Sequence, residues 1–540
     1  MHDEDEEVFD VIQIGYGPVG QSLAALLGQR GHRVAVFERW PELYGRARAG
    51  HLDHEIMRIF QSVGAAEAVE RDAHLAERYE FRDGDGRTLM SFDYGAEAVS
   101  GWRSDYIVYQ PDVEDALNTA VRAHPSVQLH QGWEASFISQ DEDAVVVTAR
   151  PFERAGGDAS GGEDFGDGTG SDVGTGSAAQ PPRTVRGRYL VAADGANSPV
   201  RSALGIPWID LGFHSTWLVV DLVPTAPLSF DFDDGQVCDP ARPHCLFQLG
   251  AQHRRFEFMG LPGEDQDLLG RAETAWTLMA PYGVTPANAR IERHAVYTFG
   301  SSVASRWRQG RVLLAGDAAH LMPPFLGQGM CSGIRDAANL AWRLDLVLTG
   351  RADAALLETY ETERAPHAES LVRMSIKAGE VACTLDPVVA EARDQAFRSG
   401  LMPPMPPFPH LEDGLLAGRD DPLSGRLAPQ GRVRADGRVA RFDDVFGTGW
   451  TLLSRTPVHG YIDAAGKALL DRLDARVIAV EEAADVDGCY RDYFAKTDVS
   501  AILYRPDFHI FGSAANPGDL PALLGRLNGL LPGVPASTSP

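Results

Sequence analysis

Six residues near the start of the chain, Gly15-Tyr16-Gly17-Pro18-Val19-Gly20, constrain the fold more than any other stretch. They follow a continuous apolar run, Val8 to Ile14, and precede an Ala/Leu-rich segment, Gln21 to Arg30, after which Arg33 to Phe37 reads as a second strand. Glycines at this spacing permit a tight bend and close approach of the backbone to a pyrophosphate, and the helix that follows offers free N–H groups and the positive end of its dipole. Glu38, at the end of the second strand, stands where an acid accepts from ribose hydroxyls. The opening is therefore a βαβ unit that binds a dinucleotide. The turn alone does not say which one, because nicotinamide and flavin enzymes share it.

Gross properties bound the partners. A chain of 540 residues, 44% hydrophobic, has room for roughly two to four domains with large cores. Its 76 Asp and Glu against 49 Lys and Arg give a net charge of −27, which repels nucleic acid and anionic membrane surfaces, so neither partner is expected. The acidic start, Met1 to Glu7, is unlike a secretory signal, and no apolar run approaches the roughly 20 residues that span a bilayer. A cytoplasmic protein without a membrane anchor is expected. Cys238, Cys245, Cys331, Cys383 and Cys489 are scattered, with no CxxC pair, so free thiols and no metal site are expected.

Along the chain, residues 155–182 are rich in Gly, Ser and Asp and read as a disordered surface insertion capping a hairpin between Ala144–Ala149 and Thr184–Ala192. Short alternating runs between Trp208 and Phe299, such as Thr216–Leu222, Arg255–Met259 and His294–Phe299, predict a sheet-rich middle domain. The Pro-rich stretch Met402 to Pro409 cannot be helical and marks a boundary. Beyond it, Trp450–Ser454, Ala475–Val480 and Ala501–Tyr504 read as strands and Leu520–Leu530 as a closing helix.

Two later segments narrow the chemistry. Arg186 to Arg201 contains Val191-Ala192-Ala193-Asp194-Gly195, and Arg311 to His320 contains Leu314-Ala315-Gly316-Asp317; each is an apolar strand ending in an acid beside glycine. After Gly327-Gln328-Gly329 an amphipathic helix carries Ile334, Ala337, Ala338, Ala341, Leu344 and Leu348 on one face. Its N-terminus can stabilise negative charge. There is no second GxGxxG for a separate nicotinamide domain, and no CxxxxC after the first helix of the kind disulfide reductases carry.

These segments resemble the DG and GD motifs of the single-component FAD-dependent aromatic hydroxylases, the para-hydroxybenzoate hydroxylase superfamily. Within it, Arg48 to Asp53, Tyr109-Gln110-Pro111, Arg254 to Met259 and His320 to Pro323 are most similar to the 3-(3-hydroxyphenyl)propionate hydroxylase branch. The resemblance implies a mixed α/β and α+β fold. A Rossmann-like FAD-binding domain (8–80, 100–205 and 300–400) would carry an inserted sheet-rich substrate domain (81–99 and 206–299) and a C-terminal thioredoxin-like domain (415–540). The last lacks a CxxC and is expected to serve packing or dimer contacts.

The resemblance also implies roles. The positions expected to contact FAD are Gly15, Gly17, Gly20, Glu38, Arg48, Gln110, Asp194, Gly316, Asp317, Pro323, Gly327, Gly329 and Met330. Asp317 would bond the ribityl chain, although an Asp there also suits a helix N-cap. Asp194 is associated with both FAD and nicotinamide, and its alternative is simply to terminate a strand. NADH or NADPH visits transiently to reduce FAD, O2 forms a C4a-hydroperoxide, and its distal oxygen passes to an activated phenolic ring. His214, His253 and Tyr297 are candidates for activating the phenol, each with a structural alternative, and Arg242 or Arg255 could pair with a substrate carboxylate or be salt-bridged. Cys331 reads as a packing residue. The family implies a homodimer. Two alternatives stay open at this point: a tailoring oxygenase, hydroxylating or Baeyer–Villiger, acting on a bulky polyketide or antibiotic-like aromatic, and a non-catalytic FAD-fold binding protein.

Overall fold

Val8–Ile14 (β1) is apolar on both faces, and the structure uses both: it runs parallel between Val34–Glu38 (β2) on one side and Arg183–Ala192 on the other. In this computed structural model the described residues are 8–152, 181–402, 405–481, 484–531 and 533. The first sheet has eight strands. Its path runs Arg308–Gln309, Val312–Leu314, Arg183–Ala192, β1, β2 and Val127–Gln131, with Val145–Pro151 and Trp133–Gln140 attached at Arg183–Ala192. The helix Pro18–Gly28 (α1) and the 21-residue helix Gln328–Leu348 cover it, burying Leu23, Leu27, Ile334, Leu340 and Leu344.

Val145–Pro151 and Arg183–Ala192 pair antiparallel, as expected of the strands flanking the Gly/Ser-rich insertion. The insertion itself lies outside the described residues apart from Pro181 and Pro182, and so does the acidic start, Met1 to Glu7.

The second sheet, also eight-stranded, follows the order His320–Leu321, Ala289–Ala304, Trp208–Pro224, His253–Met259, His244–Leu249, Gly235–Cys238, Arg78–Asp83 and Thr88–Asp93. Its longest pairing joins Trp208–Pro224 to Ala289–Ala304. One of its strands, His320–Leu321, comes from outside the segments assigned to a middle domain by sequence, and two, Arg78–Asp83 and Ala289–Ala304, cross their bounds. The two sheets therefore share chain at the point where the cavity described below opens.

The C-terminal unit has a four-stranded sheet in the order Arg476–Ala479, Thr451–Ser454, Ala501–Tyr504, Ile510–Ala514, with helices Ala464–Arg472, Cys489–Thr497 and Leu520–Leu530. The described residues between Met402 and Pro409 form no helix. The unit packs on the first through buried charges: Arg505 lies 2.9 Å from Glu363 and 2.7 Å from Asp507, and Asn339 donates to both acids at 2.9 and 3.0 Å. A further buried pair, Arg58 to Asp443 at 2.7 Å, closes the other side. Among the described residues no helix is long and apolar enough to cross a membrane.

Candidate active site

A cavity of about 630 Å³ runs between the two sheets. One end is walled by the turn after β1. Gly15 has φ +100°, and a Cβ there would sit 2.1 Å from the Ala193 carbonyl oxygen, so the crossing of the two strand ends requires glycine. Gly20 is equally confined, its Cβ position lying 2.4 Å from the Gly15 carbonyl oxygen and thus tying α1 to the turn. Gly17 differs: a Cβ there would meet nothing within 4 Å. Gly17 is also the N-cap of α1 and makes no side-chain cap, which leaves the helix terminus facing open space. The Glu38 carboxylate accepts from the N–H of Tyr16 at 2.9 Å and of Trp40 at 3.0 Å, so it is fixed at the edge of the turn.

Along the cavity, Gln110 holds the Arg48 loop. Its Oε1 accepts from the N–H groups of Arg48 and Ala49 at 3.0 and 2.7 Å, and its Nε2 donates to Glu114 at 2.6 Å. Burial raises the Glu114 carboxyl to about 7 against the opposing pull of Gln110 and Arg48. Opposite, the Gly316 N–H donates to Asp336 at 3.0 Å, and Asp336 is itself held by His320 and Arg364 at 2.8 and 2.9 Å. Asp317 is therefore presented from a fixed 3-10 turn rather than as the N-cap of a helix, and it lines the cavity. Its carboxyl is raised by the protein walls around it, with His320 and Arg48 pulling the other way. Asp194 lines the same wall; its Oδ2 accepts from the Val200 N–H at 3.2 Å, while its buried Oδ1 has no partner.

Pro323, Gly327, Gly329 and Met330 bring the start of the Gln328–Leu348 helix to the cavity. Behind them, Arg335 pairs with Asp53 and, at 2.6 Å, with Glu55, while Gln328 bridges Arg335 and Asp53 at 2.8 and 3.0 Å. His51 packs under Gly327, its Nε2 2.8 Å from Asp105. Asp105 and Cys331 hold that imidazole well above its ordinary value despite burial, which alone would lower it.

The far end is aromatic. Tyr79, Tyr94, Trp217, Phe247, Phe299 and Phe325 line it, with Gln236, Cys245 and Glu257 as polar neighbours. Trp217 donates to Ser215 and sits edge-on to Phe325. Burial raises the Glu257 carboxyl although Arg255 lies 3.6 Å away, because Asp221 already takes Arg255 at 2.6 Å.

A model of the FAD binding domain matches residues 8–375, and one of the HcaD C-terminal domain matches residues 425–529. The chain belongs to the FAD-binding-domain family. A probable NADH-specific resorcinol 4-hydroxylase of Rhodococcus jostii is 35% identical over 98% of this chain and 96% of its own length. A 3-(3-hydroxy-phenyl)propionate/3-hydroxycinnamic acid hydroxylase of Comamonas testosteroni is 32% identical over 95% of each. In fold, the chain is similar to the flavin-dependent monooxygenase PieE, with a TM-score of 0.76 and 21% identity over 97% and 99% of the two chains. Aklavinone-11 hydroxylase gives a TM-score of 0.75 with 25% identity over 98% and 99%. This member of the FAD-binding-domain family is a single-component FAD-dependent aromatic hydroxylase, with the mixed α/β fold that the sequence motifs imply.

The lining fits FAD on this structure's own terms. The family's dinucleotide turn faces open space at Gly17, the helix behind it is uncapped, and Asp194 offers a buried carboxylate oxygen without a partner. Of the positions expected to contact FAD, the cavity brings together Gly15, Gly17, Glu38, Arg48, Gln110, Asp194, Asp317, Pro323, Gly327, Gly329 and Met330. Gly20 and Gly316 stand behind the wall and shape it.

The candidates for phenol activation divide differently. Tyr297 lines the cavity beneath Arg293. His214 does not reach it: its side chain is 56% exposed and pairs with Asp210. His253 is stacked flat on Tyr109 at 3.8 Å and paired with Glu292, outside the lining. Both histidines follow the rule that a lone sheet histidine is a structural one. Arg242 is spent on Glu264 and Arg255 on Asp221, so both are salt-bridged. Tyr79, Tyr94, His51 and Glu257 were not among the candidates. The period-two run of aromatics in Tyr79, Phe81, Phe92 and Tyr94 was the available signal for the first two.

Proposed function

We propose that this hydroxylase inserts oxygen into a small neutral phenol of the resorcinol type, with NADH as the electron donor. The observation that carries the reading lies at the aromatic end, where Arg255 is neutralised by Asp221 and the polar neighbours of the rings are Gln236, Cys245 and Glu257. These neighbours offer a carboxylate no cation and accept a neutral ring.

In this reading Gly15 and Gly17 with the α1 terminus hold the pyrophosphate of FAD, Glu38 a ribose, Asp317 and Arg48 the ribityl region, and Gly327 to Met330 the ring edge. FAD, when bound, supplies acceptance of electrons from the nicotinamide and activation of O2. The chain does the rest. Trp217, Phe247, Phe299 and Phe325 exclude water and fix the ring plane. Glu257, whose carboxyl is raised by burial, accepts the phenol proton and so raises electron density on the ring. The start of the Gln328–Leu348 helix stabilises negative charge beside it.

A second reading has its own observation. Arg293 lines the cavity, donates to the Ala47 carbonyl at 2.7 Å and makes no ion pair among the described residues, so a phenolic acid can place its carboxylate there. Purified holoenzyme given NADH and O2 with resorcinol or 3-(3-hydroxyphenyl)propionate separates the two by mass spectrometry of the product. Hydroxylated resorcinol at the higher kcat/KM is expected. Turnover of the propionate alone, lost in Arg293→Gln, would establish the second reading, and no oxygenated product from any phenol would end both. A homodimer and a cytoplasmic location, carried over from the sequence, belong to this proposal and are checked by light scattering and cell fractionation.

A further inference from the structure

Two hydroxyls at the aromatic end are bonded by nothing among the described residues. Tyr79 lies in the strand Arg78–Asp83 and faces Phe92 across the pairing with Thr88–Asp93, so Tyr94, two residues beyond Phe92, lies on the same face. The two tyrosine rings are 5.7 Å apart and within 16° of parallel. Side chains on one face of a sheet stand roughly perpendicular to it, which brings the two rings together on the cavity side. Both residues line the cavity, and neither hydroxyl has a hydrogen-bond partner among the described residues. Hydroxyls that face a cavity and are bonded by no protein group are open to a ligand, and two of them in one wall form a paired polar feature in an otherwise aromatic surface.

The flanks of the pair agree with that reading. On the Tyr79 side stand Cys245 and Glu257, and on the Tyr94 side His51, its ring centroid 5.6 Å away. His51 in turn supports Gly327 at the start of the Gln328–Leu348 helix. The pair thus lies between the proposed proton acceptor and the loop proposed to hold the flavin edge.

We propose that Tyr79 and Tyr94 are the residues that determine substrate specificity, one hydroxyl bonding each oxygen of a 1,3-dihydroxybenzene. Rings stacked 5.7 Å apart can offer one hydroxyl to each of two separated oxygens on one substrate ring, whereas ortho oxygens lie much closer together and a simple phenol uses one hydroxyl and leaves the other unused. This assignment rests on the hydroxylase reading above and adds to it the feature of the ring that is read.

The test is equilibrium dialysis of the FAD-loaded protein without NADH, using radiolabelled resorcinol, catechol and phenol. Wild type, Tyr79→Phe, Tyr94→Phe and the double variant are compared, and phenylalanine keeps the stacking. We expect resorcinol to bind more tightly than phenol or catechol to the wild type, each single variant to lose roughly fivefold in resorcinol affinity, and the double variant to hold resorcinol and phenol alike. A preference for resorcinol that survives in the double variant would overturn the assignment, as would a wild type without that preference, a measurement that needs no variant to fold. If resorcinol binds through the pair while the wild type yields no oxygenated product, the reaction reading fails and the recognition pair stands.

Discussion

Glu55 and Arg335 meet in a buried ion pair 2.6 Å long directly behind the cavity loop that begins at Gly327. Arg335 also holds Asp53 and Gln328, so one guanidinium fixes the helix start from three directions. Replacing it by leucine leaves two buried carboxylates uncompensated. Arg335→Leu is expected to cost about 3–5 kcal/mol of stability, read by urea denaturation, and to release FAD from whatever fraction folds. Retained stability with full FAD content would show that the loop is held by other contacts.

Gly15 and Gly17 should separate folding from cofactor binding. Gly15→Ala drives a methyl into the Ala193 carbonyl in a positive-φ position, and the protein is expected to lose both stability and FAD. Gly17 has φ −73° and open space, so Gly17→Ala folds with the melting temperature of the apo wild type while its methyl intrudes where a pyrophosphate lies. Flavin fluorescence titration should show its FAD affinity down by tenfold or more, on the order of the 1.4 kcal/mol that a factor of ten represents. Equal affinity in Gly17→Ala would move the pyrophosphate elsewhere.

The buried Glu114 predicts a pH dependence of stability. Its folded pKa of about 7 lies above its ordinary 4.5, so the protonated form is favoured by folding. The stability it contributes is present below about 4.5 and is lost as pH rises through 7. Glu114→Gln keeps an oxygen for Gln110 and removes the titration. The variant should match the wild type near pH 4.5 and exceed it by up to about 3 kcal/mol above pH 7; parallel melting profiles across that range would refute the assignment.

The C-terminal unit is expected to contribute packing and not thiol chemistry. Arg505→Leu takes the cation from Asp507 in the interface, while Glu363 keeps Arg343, and is expected to cost about 3–5 kcal/mol. Cys489→Ser should leave turnover unchanged, because that thiol is pushed up to about 11 and has no cysteine partner. A Cys489→Ser enzyme with altered coupling of NADH oxidation to product would reverse this view.

Much of the frame was legible in the order of residues. The strand, turn and helix at Val8–Gly28 are dictated by local apolar runs and glycine spacing, and the closing helix Leu520–Leu530 lies where periodicity predicts it. The glycines of the turn were legible for the same reason, since a Cβ at Gly15 or Gly20 would strike backbone whatever the rest of the chain does. The substrate wall was not. Tyr79 and Tyr94 become neighbours through strand pairing, and Glu257 is left with a shared cation because Asp221, from a neighbouring strand, takes Arg255. His214 and His253 carry the right chemistry in sequence, yet the period of two sends the first to solvent, and Tyr109 covers the second.

The buried charges at the joint with the C-terminal unit reach further than the joint itself. From Arg505 and Asp507 the line continues through His509, 3.8 Å from Glu55, to Arg335 and the helix start at the cavity. A chimera that swaps this unit for a relative's at the Pro-rich join would therefore transplant one half of a matched set. Such grafts should succeed only when Arg505, Asp507 and His509 travel with recipients that keep Glu363, Asn339 and Glu55, so the unit is heritable as a partner of the cavity and not as a detachable module.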